Sequence, residues 1–246
     1  MKFFRFILTL IALTATVKGQ EPPEPVHLPK PIMVRVPDFA KWTITYESLK
    51  STKDGAAVSD SATPPTVVAK RTVVTKTGEI RHESTIDATG QQTDKWCKGA
   101  IQIEINAKGG LPVILDPNSM YDSTYVDYSK SDFADLDWIA QDNFTGIKTV
   151  MGKSCWSFQK TRTFYQSAGS GADPSNPPPS IRVVYTAYID KATQLPVQLK
   201  IGEDTVSYTF EAPPAEMQTL PANLQKTVSG LVKREKALSA PLPRPF

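Results

Sequence analysis

The chain has 246 residues, of which 40% are hydrophobic; this is enough for a substantial core and excludes a globally disordered protein. Its formal net charge is +3, but Lys2, Arg5 and Lys18 account for that excess, and the rest of the chain has 25 basic and 25 acidic residues. A balanced chain offers no global basic surface for phosphates, so we expect no nucleic-acid partner.

The first nineteen residues have the layout of a secretory signal peptide. Lys2 and Arg5 form a charged start, the run from Phe6 to Val17 is apolar, and Gly19 lies in a small-residue exit. The apolar run is shorter than the roughly 20 residues that cross a bilayer, and no later stretch approaches that length. We therefore expect an exported protein of the periplasm or the extracellular medium, with no transmembrane segment in the mature chain.

Prolines are concentrated on both sides of the central region. Residues 20–38 predict a proline-rich extended leader, and residues 239–246 predict a proline-rich tail. Between them, residues 39–220 predict one β domain and residues 221–238 an amphipathic helix.

The central region repeats with a period of two, which is the pattern of half-buried β-strands. Trp42, Ile44 and Tyr46, for example, alternate with threonines. Turn residues such as Gly78 and Gly202 leave too few residues between strands for parallel crossovers, so the sheet should be antiparallel. We predict a mainly β fold with one strongly curved antiparallel sheet of seven or more strands. The further candidate strands are residues 66–75, 79–87, 100–106, 111–115, 146–151, 155–164, 182–190, 196–201 and 205–211.

One segment in the middle of the chain breaks the strand pattern. Ser131 predicts the cap of a short helix with Phe133, Leu136 and Ile139 on one face. The acidic residues of its first turn, Asp132 among them, are predicted to be solvated and to favour the positive end of the helix dipole.

The C-terminal segment has helical spacing. Pro221 suits the first position of a helix, and apolar side chains recur at helical intervals after it. We expect this apolar stripe to pack on the sheet, with Lys226 and Lys233 facing outward. A helix that lies on an anionic membrane is the alternative. The stripe consists of Leu224, Val228, Leu231 and Val232.

Several motifs in the second half of the chain resemble a known family. Residues 133–138 read FADLDW, residues 144–148 read FTGIK, residues 152–158 read GKSCWSF, and residues 185–197 read YTAYIDKATQLPV. A short acidic-aromatic helix followed by such strands and turns resembles the LolA/LolB-like outer-membrane lipoprotein-sorting proteins over about residues 132–210. Members of that family fold as a half-open antiparallel β barrel that shelters acyl chains against a helical lid. The resemblance implies the same architecture here.

No set of residues in the sequence dictates a reaction. Its two histidines are His27 in the leader and His82 in a predicted strand, and no G-x-S-x-G nucleophile elbow is present. The cysteines and His82 lack the paired spacing of a zinc site, and the aspartates after Ser131 lack the pattern of a calcium-binding loop. Phosphate-loop and dinucleotide fingerprints are also missing from the sequence. We therefore expect no enzymatic activity, no cofactor and no metal.

Each of the two cysteines lies beside a tryptophan, in the pairs Trp96-Cys97 and Cys155-Trp156. In an oxidising, exported setting, two cysteines and no others most simply form one intramolecular disulfide. We predict a bond between Cys97 and Cys155; the alternative is two unpaired, buried thiols.

Aromatic side chains on the predicted strands form the candidate binding site. In a half-open barrel, Trp42, Tyr46, Trp156 and Phe158 would line an apolar concavity, which would bind acyl chains by hydrophobic transfer. An ordinary closed core made of the same rings is the alternative. The lid would be the short helix, which carries Phe133, Leu136 and Trp138.

Two functions remain open from the sequence. The first is an exported, non-enzymatic carrier or binder of lipid-like or acyl groups in the cell envelope, with lipids or lipoprotein acyl chains as its ligands. The second is a secreted or envelope interaction protein that has a closed core, a protein partner in the envelope and no small-molecule ligand.

Overall fold

A computed structural model of the chain describes residues 26–49, 66–106, 111–115, 125–128, 130–165 and 180–239. The predicted signal peptide, the first part of the predicted leader and the end of the predicted tail lie outside these residues.

Eleven strands form one antiparallel sheet in the order β6-β5-β4-β3-β2-β1-β11-β10-β9-β8-β7. The two edges are β6 and β7, and no pairing between described residues joins them, so the sheet is not closed. The predicted mainly β class, with an open antiparallel sheet of seven or more strands, is confirmed. The strands are β1 Phe39–Leu49, β2 Thr66–Thr77, β3 Ile80–Asp87, β4 Gln92–Lys98, β5 Ile101–Asn106, β6 Val113–Leu115, β7 Phe144–Val150, β8 Lys153–Tyr165, β9 Ser180–Asp190, β10 Pro196–Ile201 and β11 Asp204–Glu211.

Two meanders meet at a central seam in this sheet. Strands β1 to β6 pair in chain order, and so do strands β7 to β11. The seam is the pairing of β1 with β11, in which Lys41 lies opposite Glu211 and Thr43 opposite Thr209. Because β6 and β7 lie at opposite edges, the chain between them must cross the sheet.

The main core lies on one face of the sheet, which we call the inner face. Trp42 of β1, Phe158 of β8 and Leu199 of β10 are fully buried there. They belong to one apolar cluster with Phe133 and Leu136. These two residues lie in residues 131–140, the part of the chain between β6 and β7 that crosses the inner face, and we call it the crossing segment. Since side chains from β2 round to β8 share this cluster, the sheet curves around residues 131–140.

The opposite, outer face carries the C-terminal helix α1, Ala222–Ser239. Its side chains Leu224 and Val228 are buried against Ile103 of β5, and the half-buried Trp96 of β4 packs beside them. The predicted C-terminal helix is therefore present, with Leu224 and Val228 of its predicted apolar stripe packed on the sheet. No helix in the described part of the chain is long and apolar enough to cross a membrane.

The end of the predicted leader belongs to the core. Leu28 and Val36 are buried in the inner-face cluster, and Ile32 and Met33 pack against it. The backbone N–H of Val34 also donates a hydrogen bond to the carbonyl oxygen of Gln194 at 3.2 Å. Residues 26–38 therefore cover one end of the inner face.

The predicted helix after Ser131 is wrong in form. In its place the structure has a turn of 3-10 helix, Ala134–Leu136, with Phe133 at its N-terminal cap position, and a second such turn follows at Gln141–Asn143. The Ser131 hydroxyl instead accepts a hydrogen bond from the N–H of Phe133, two residues on, at 3.0 Å, which makes a tight local turn. Asp132 is also buried, with 4% of its surface exposed, and is not solvated as predicted.

The predicted disulfide is not formed. Cys97 and Cys155 are both free and buried, and six strands separate β4 from β8 in the sheet. Cys97 lies opposite Arg81 in the β3–β4 ladder and faces inward with it. Cys155 packs with Tyr188 in a cluster on the outer face. The two thiols therefore project from opposite faces, which the tryptophans next to them in sequence could not reveal.

Candidate functional site

An open cavity of about 610 Å³ lies on the inner face, next to the packed core. This volume falls within the range of about 300–1,000 Å³ that small-molecule sites occupy. Strand alternation assigns its lining, because every second residue of a strand points to the same face. One side, which we call the apolar wall, consists of Ile44, Tyr46, Phe133, Ile201, Val206 and Tyr208.

The opposite side of the cavity is hydrophilic, and we call it the polar wall. It is built by strands β2 to β5, whose inward residues are charged or hydroxylated. The inward side chain of Arg81 is almost fully buried, and that of Glu83 is only slightly exposed. The polar wall consists of Lys70, Thr72, Arg81, Glu83, Thr85, Thr93, Lys95, Glu104 and Tyr128.

Glu83 is the centre of the polar wall. Its carboxylate accepts hydrogen bonds from Arg81 Nε at 2.6 Å and from the Tyr128 hydroxyl at 2.6 Å. The ammonium of Lys95 lies 3.2 Å from its second oxygen. Burial opposes ionisation of this carboxyl, but Arg81 and Lys95 outweigh it and lower its pKa to about 2. Glu83 is therefore a carboxylate at neutral pH.

Asp132 ties the crossing segment to the polar wall and to the leader. Its carboxylate lies 3.3 Å from Arg35 Nε, 3.5 Å from Lys76 Nζ and 3.6 Å from Arg81 Nη1. It also accepts a hydrogen bond from the backbone N–H of Val36 at 3.1 Å. Three cations and one amide therefore surround a buried carboxylate that no solvent can compensate.

Arg81 lies between two aromatic rings. Its guanidinium carbon is 4.9 Å from the ring centroid of Trp42 and 3.9 Å from that of Tyr128, which are cation–π distances. The Nη1 atom is buried and makes no hydrogen bond, although it lies beside Asp132. The acceptor that faces this buried nitrogen is the Asp132 carboxylate, with which it forms an ion pair at 3.6 Å.

Tyr46 of the apolar wall is fixed by a hydrogen bond from its hydroxyl. Its hydroxyl donates a hydrogen bond to the carboxylate of Asp204 at 2.5 Å. This bond, with burial adding to it, raises the pKa of Tyr46 to about 12. The ring is therefore held in place with its hydroxyl protonated and its face toward the cavity.

Of the four aromatic residues predicted to line a concavity, the structure places Tyr46 in the cavity wall. Trp42 and Phe158 are fully buried, and Trp156 is 7% exposed. These three rings lie in the core beneath the crossing segment.

The predicted lid residues cover those three rings. Phe133 packs against Trp42, with their ring centroids 6.0 Å apart, and also lines the cavity. Leu136 and Trp138 are buried, and the Trp138 indole N–H donates to the carbonyl oxygen of Asp135 at 2.9 Å. The crossing segment therefore packs into the core of the inner face, and through Phe133 it also borders the cavity.

The sequence interpretation missed the polar wall. Arg81 and Glu83 alternate with Ile80 and His82 in β3, so the signal was a strand with charges on one face and apolar or aromatic residues on the other. On the outer face, His82 Nε2 lies 2.9 Å from Asp94 Oδ1, and its ring stacks on Trp96. Within the described ranges, no group of three His, Cys, Asp or Glu side chains is placed to hold a metal ion.

Comparison with known proteins gives structural neighbours alone. No protein-family model matches the chain, and no curated protein matches it. Among solved structures it is similar to LprF from Mycobacterium bovis, with 14% identity over 74% of this chain and 89% of that chain at a TM-score of 0.35. A LolA superfamily protein from Nitrosomonas europaea matches with 7% identity over 81% and 97% at a TM-score of 0.32. The Mycobacterium tuberculosis lipoprotein LppX matches with 11% identity over 73% and 90% at a TM-score of 0.34.

Proposed function

We propose that this protein is an exported, non-enzymatic carrier that binds a lipid-like molecule in the inner-face cavity. The observation that carries the proposal is the cavity of about 610 Å³, which has an apolar wall on one side and a polar wall on the other. A site with two such walls suits an amphipathic molecule, since each part of the ligand meets surface of its own kind.

The apolar wall would hold the hydrocarbon part of the ligand. Ile44, Ile201 and Val206 present aliphatic side chains from three neighbouring strands, β1, β10 and β11. Each CH₂ group that leaves water for such a surface stabilises the complex by about 0.8 kcal/mol. Micromolar binding corresponds to about 8 kcal/mol, and association itself costs at least about 4 kcal/mol, so roughly 15 buried CH₂ groups are needed, which is the length of a long acyl chain.

The polar wall would hold the other end of the ligand. Arg81 and Lys95 are already paired with Glu83, so the wall carries little uncompensated charge. The Thr72 and Thr85 hydroxyls hydrogen-bond to each other at 2.9 Å, and together with the Thr93 hydroxyl they are the uncharged polar groups of this wall. A head group that contains hydroxyl or carbonyl oxygens fits this wall better than one with a high net charge.

The buried aromatic residues that were predicted to line the concavity have a different proposed role. Trp42, Trp156 and Phe158 would form a rigid floor, and Phe133, Leu136 and Trp138 would separate that floor from the cavity. Lipids or lipoprotein acyl chains are the ligand class, and the cell envelope, in the periplasm or outside the cell, is the proposed location.

The carrier proposal can be tested by filling the cavity with a larger side chain. Ile201→Trp places an indole in the apolar wall, and Ile86→Trp is the matched control, because Ile86 is exposed and lies opposite Arg71 on the outer face. Loss of room for about two CH₂ groups should weaken the binding of a fluorescent fatty-acid probe by roughly tenfold in Ile201→Trp. The control should bind as the parent protein does.

Mass spectrometry of organic extracts from the purified parent protein complements this titration. A co-purified lipid that is absent from Ile201→Trp supports the carrier function. Equal probe binding by the parent and Ile201→Trp would contradict it. A parent protein that holds no lipid and binds no probe would favour the alternative, an interaction protein whose ligand is another envelope protein.

A further inference from the structure

We propose that the protein docks on anionic membrane surfaces through a two-stranded arm of the sheet. The arm consists of residues 159–165 of β8 and 180–184 of β9, and the pairs between these residues run from Thr161–Val184 outward to Tyr165–Ser180. The pairing of β7 with β8 reaches only to Phe158, and that of β10 with β9 only to Tyr185. Among described residues, the arm thus extends beyond both neighbouring strands.

The arm exposes large apolar side chains near its far end. Phe164 and Ile181 are cross-strand partners, and 47% and 52% of their surfaces are exposed. Val184 adds a third exposed apolar side chain on the other face of the arm. Phe164 and Ile181 are adjacent on one face, and adjacent exposed apolar side chains mark an interaction site more often than an isolated exposed residue does.

The charges of the arm are all positive. Residues 159–165 and 180–184 contain Lys160, Arg162 and Arg182, each of them exposed, and no Asp or Glu. One of the three, Arg162, has a carboxylate within 3.9 Å, that of Asp137 in the crossing segment. Lys160 and Arg162 lie on the same face as Phe164 and Ile181, and Arg182 lies on the other face. Cations beside apolar side chains match an anionic lipid surface, where the cations meet head groups and the apolar groups enter the interface.

The free edges of the arm favour a membrane over a protein strand as the partner. A strand partner would pair with the edge of β8 or β9, and charged side chains along such edges disfavour that pairing. The faces of the arm remain as the contact surface. Phe164 and Ile181 lie on the inner face, the face that carries the cavity.

A second extension lies at the same end of the sheet. Four antiparallel steps lead from β1 through β11, β10 and β9 to β8, so β1 and β8 run in the same direction. Their ends therefore lie at the same end of the sheet. The β2 residues that extend beyond β3 there include Val67 and Val68, which are 42% and 51% exposed. One end of the sheet thus carries two apolar projections.

The experiment places a fluorescent reporter on the arm of the full chain. Phe164→Trp puts an indole at the proposed contact, and Met217→Trp puts one at an exposed position at the opposite end of the sheet, since Gln218 is hydrogen-bonded to Thr77 there. Two kinds of vesicle are the probes. One contains brominated phosphatidylcholine with an equal part of phosphatidylglycerol, and the other contains brominated phosphatidylcholine alone. The native tryptophans are common to both variants, and the parent chain supplies the background emission to subtract.

We expect the added indole of Phe164→Trp to shift its emission to shorter wavelength and to be quenched by the anionic vesicles, while the added indole of Met217→Trp stays unchanged. Lys160→Glu together with Arg182→Glu in the Phe164→Trp chain should weaken this response by at least about tenfold, and added salt should weaken it as well. A response of Phe164→Trp no larger than that of Met217→Trp, or one of equal strength in neutral vesicles, would overturn the proposal. Far-ultraviolet circular dichroism equal to that of the parent chain shows that the variants are folded.

Discussion

The carboxylate of Asp132 accepts a hydrogen bond at 3.1 Å from the backbone N–H of Val36, a residue 96 positions earlier in the chain. This single contact joins the leader to the segment that crosses the inner face. Because Arg35, Lys76 and Arg81 converge on the same carboxylate, three separate parts of the chain depend on it.

Replacement of that carboxylate should destabilise the whole fold. Asp132→Asn keeps the size of the side chain but removes one of the carboxylates that compensate the charges of Arg81 and Lys76, both largely buried; their other ion-pair partners are Glu83 and Asp38. We expect the free energy of unfolding in urea to fall by about 3 kcal/mol. Asp137→Asn is the control, since that side chain is 71% exposed and should change stability by less than about 0.5 kcal/mol. Equal stability of the two variants would show that the cluster contributes no net stabilisation.

Glu83 should make the stability of the protein depend on acid pH. Its pKa is about 2 in the folded chain, against 4.5 for the unperturbed group. A depressed pKa stabilises the fold above about pH 4.5, and this contribution, about 3 kcal/mol, is lost as pH falls from there toward 2. Unfolding free energies measured from pH 6 to pH 2 should therefore fall less steeply in Glu83→Gln, although that variant starts lower. Parallel curves for the two proteins would contradict the pKa shift.

Both cysteines should titrate as free thiols only after unfolding. Burial is the largest cause that raises the pKa of Cys97, to about 12, so the native thiol is protonated and shielded at pH 8. Ellman's reagent should therefore react slowly with the native protein and should count two thiols in denaturant. Reducing agent should leave the urea midpoint unchanged, whereas a midpoint that falls on reduction would reveal a disulfide.

The packing of α1 can be tested at one buried leucine. Leu224 is fully buried against the outer face, so Leu224→Ala should lower the free energy of unfolding by about 2–5 kcal/mol through lost contacts and a cavity. Lys226→Ala, at an exposed position of the same helix, should be nearly neutral. Two variants of equal stability in a urea titration would show that the helix contributes little to the fold.

Sequence alone could predict the strands because the alternation of apolar and polar residues is strong in β1, β9 and β11. It could not predict β4, Gln92–Lys98, since both faces of that strand carry polar residues. The inward side chains Thr93 and Lys95 belong to the polar wall, where apolar residues would leave Glu83 uncompensated. The features that hid β4 from the sequence analysis are those that make it part of the site.

The interpretation of Asp132 failed for a related reason. An aspartate after a serine is typical of a solvated helix start, and local sequence contains nothing to contradict that. Its true partners, Arg35, Lys76 and Arg81, are between 51 and 97 positions away. Only the order of strands in the sheet brings these cations together, and strand order is also what separates Cys97 from Cys155.

The central seam has a consequence for how the chain acquires its structure. Within each meander at most 16 residues separate a strand from its partner, whereas the first strand must wait for the last, since Thr43 and Glu211 are 168 positions apart. Until β11 has been synthesised, β1 has one open edge in the middle of the sheet. Such long-range pairing slows folding and leaves an unpaired strand edge that can aggregate with other chains. A protective chaperone should therefore matter most during synthesis of the second half of the chain.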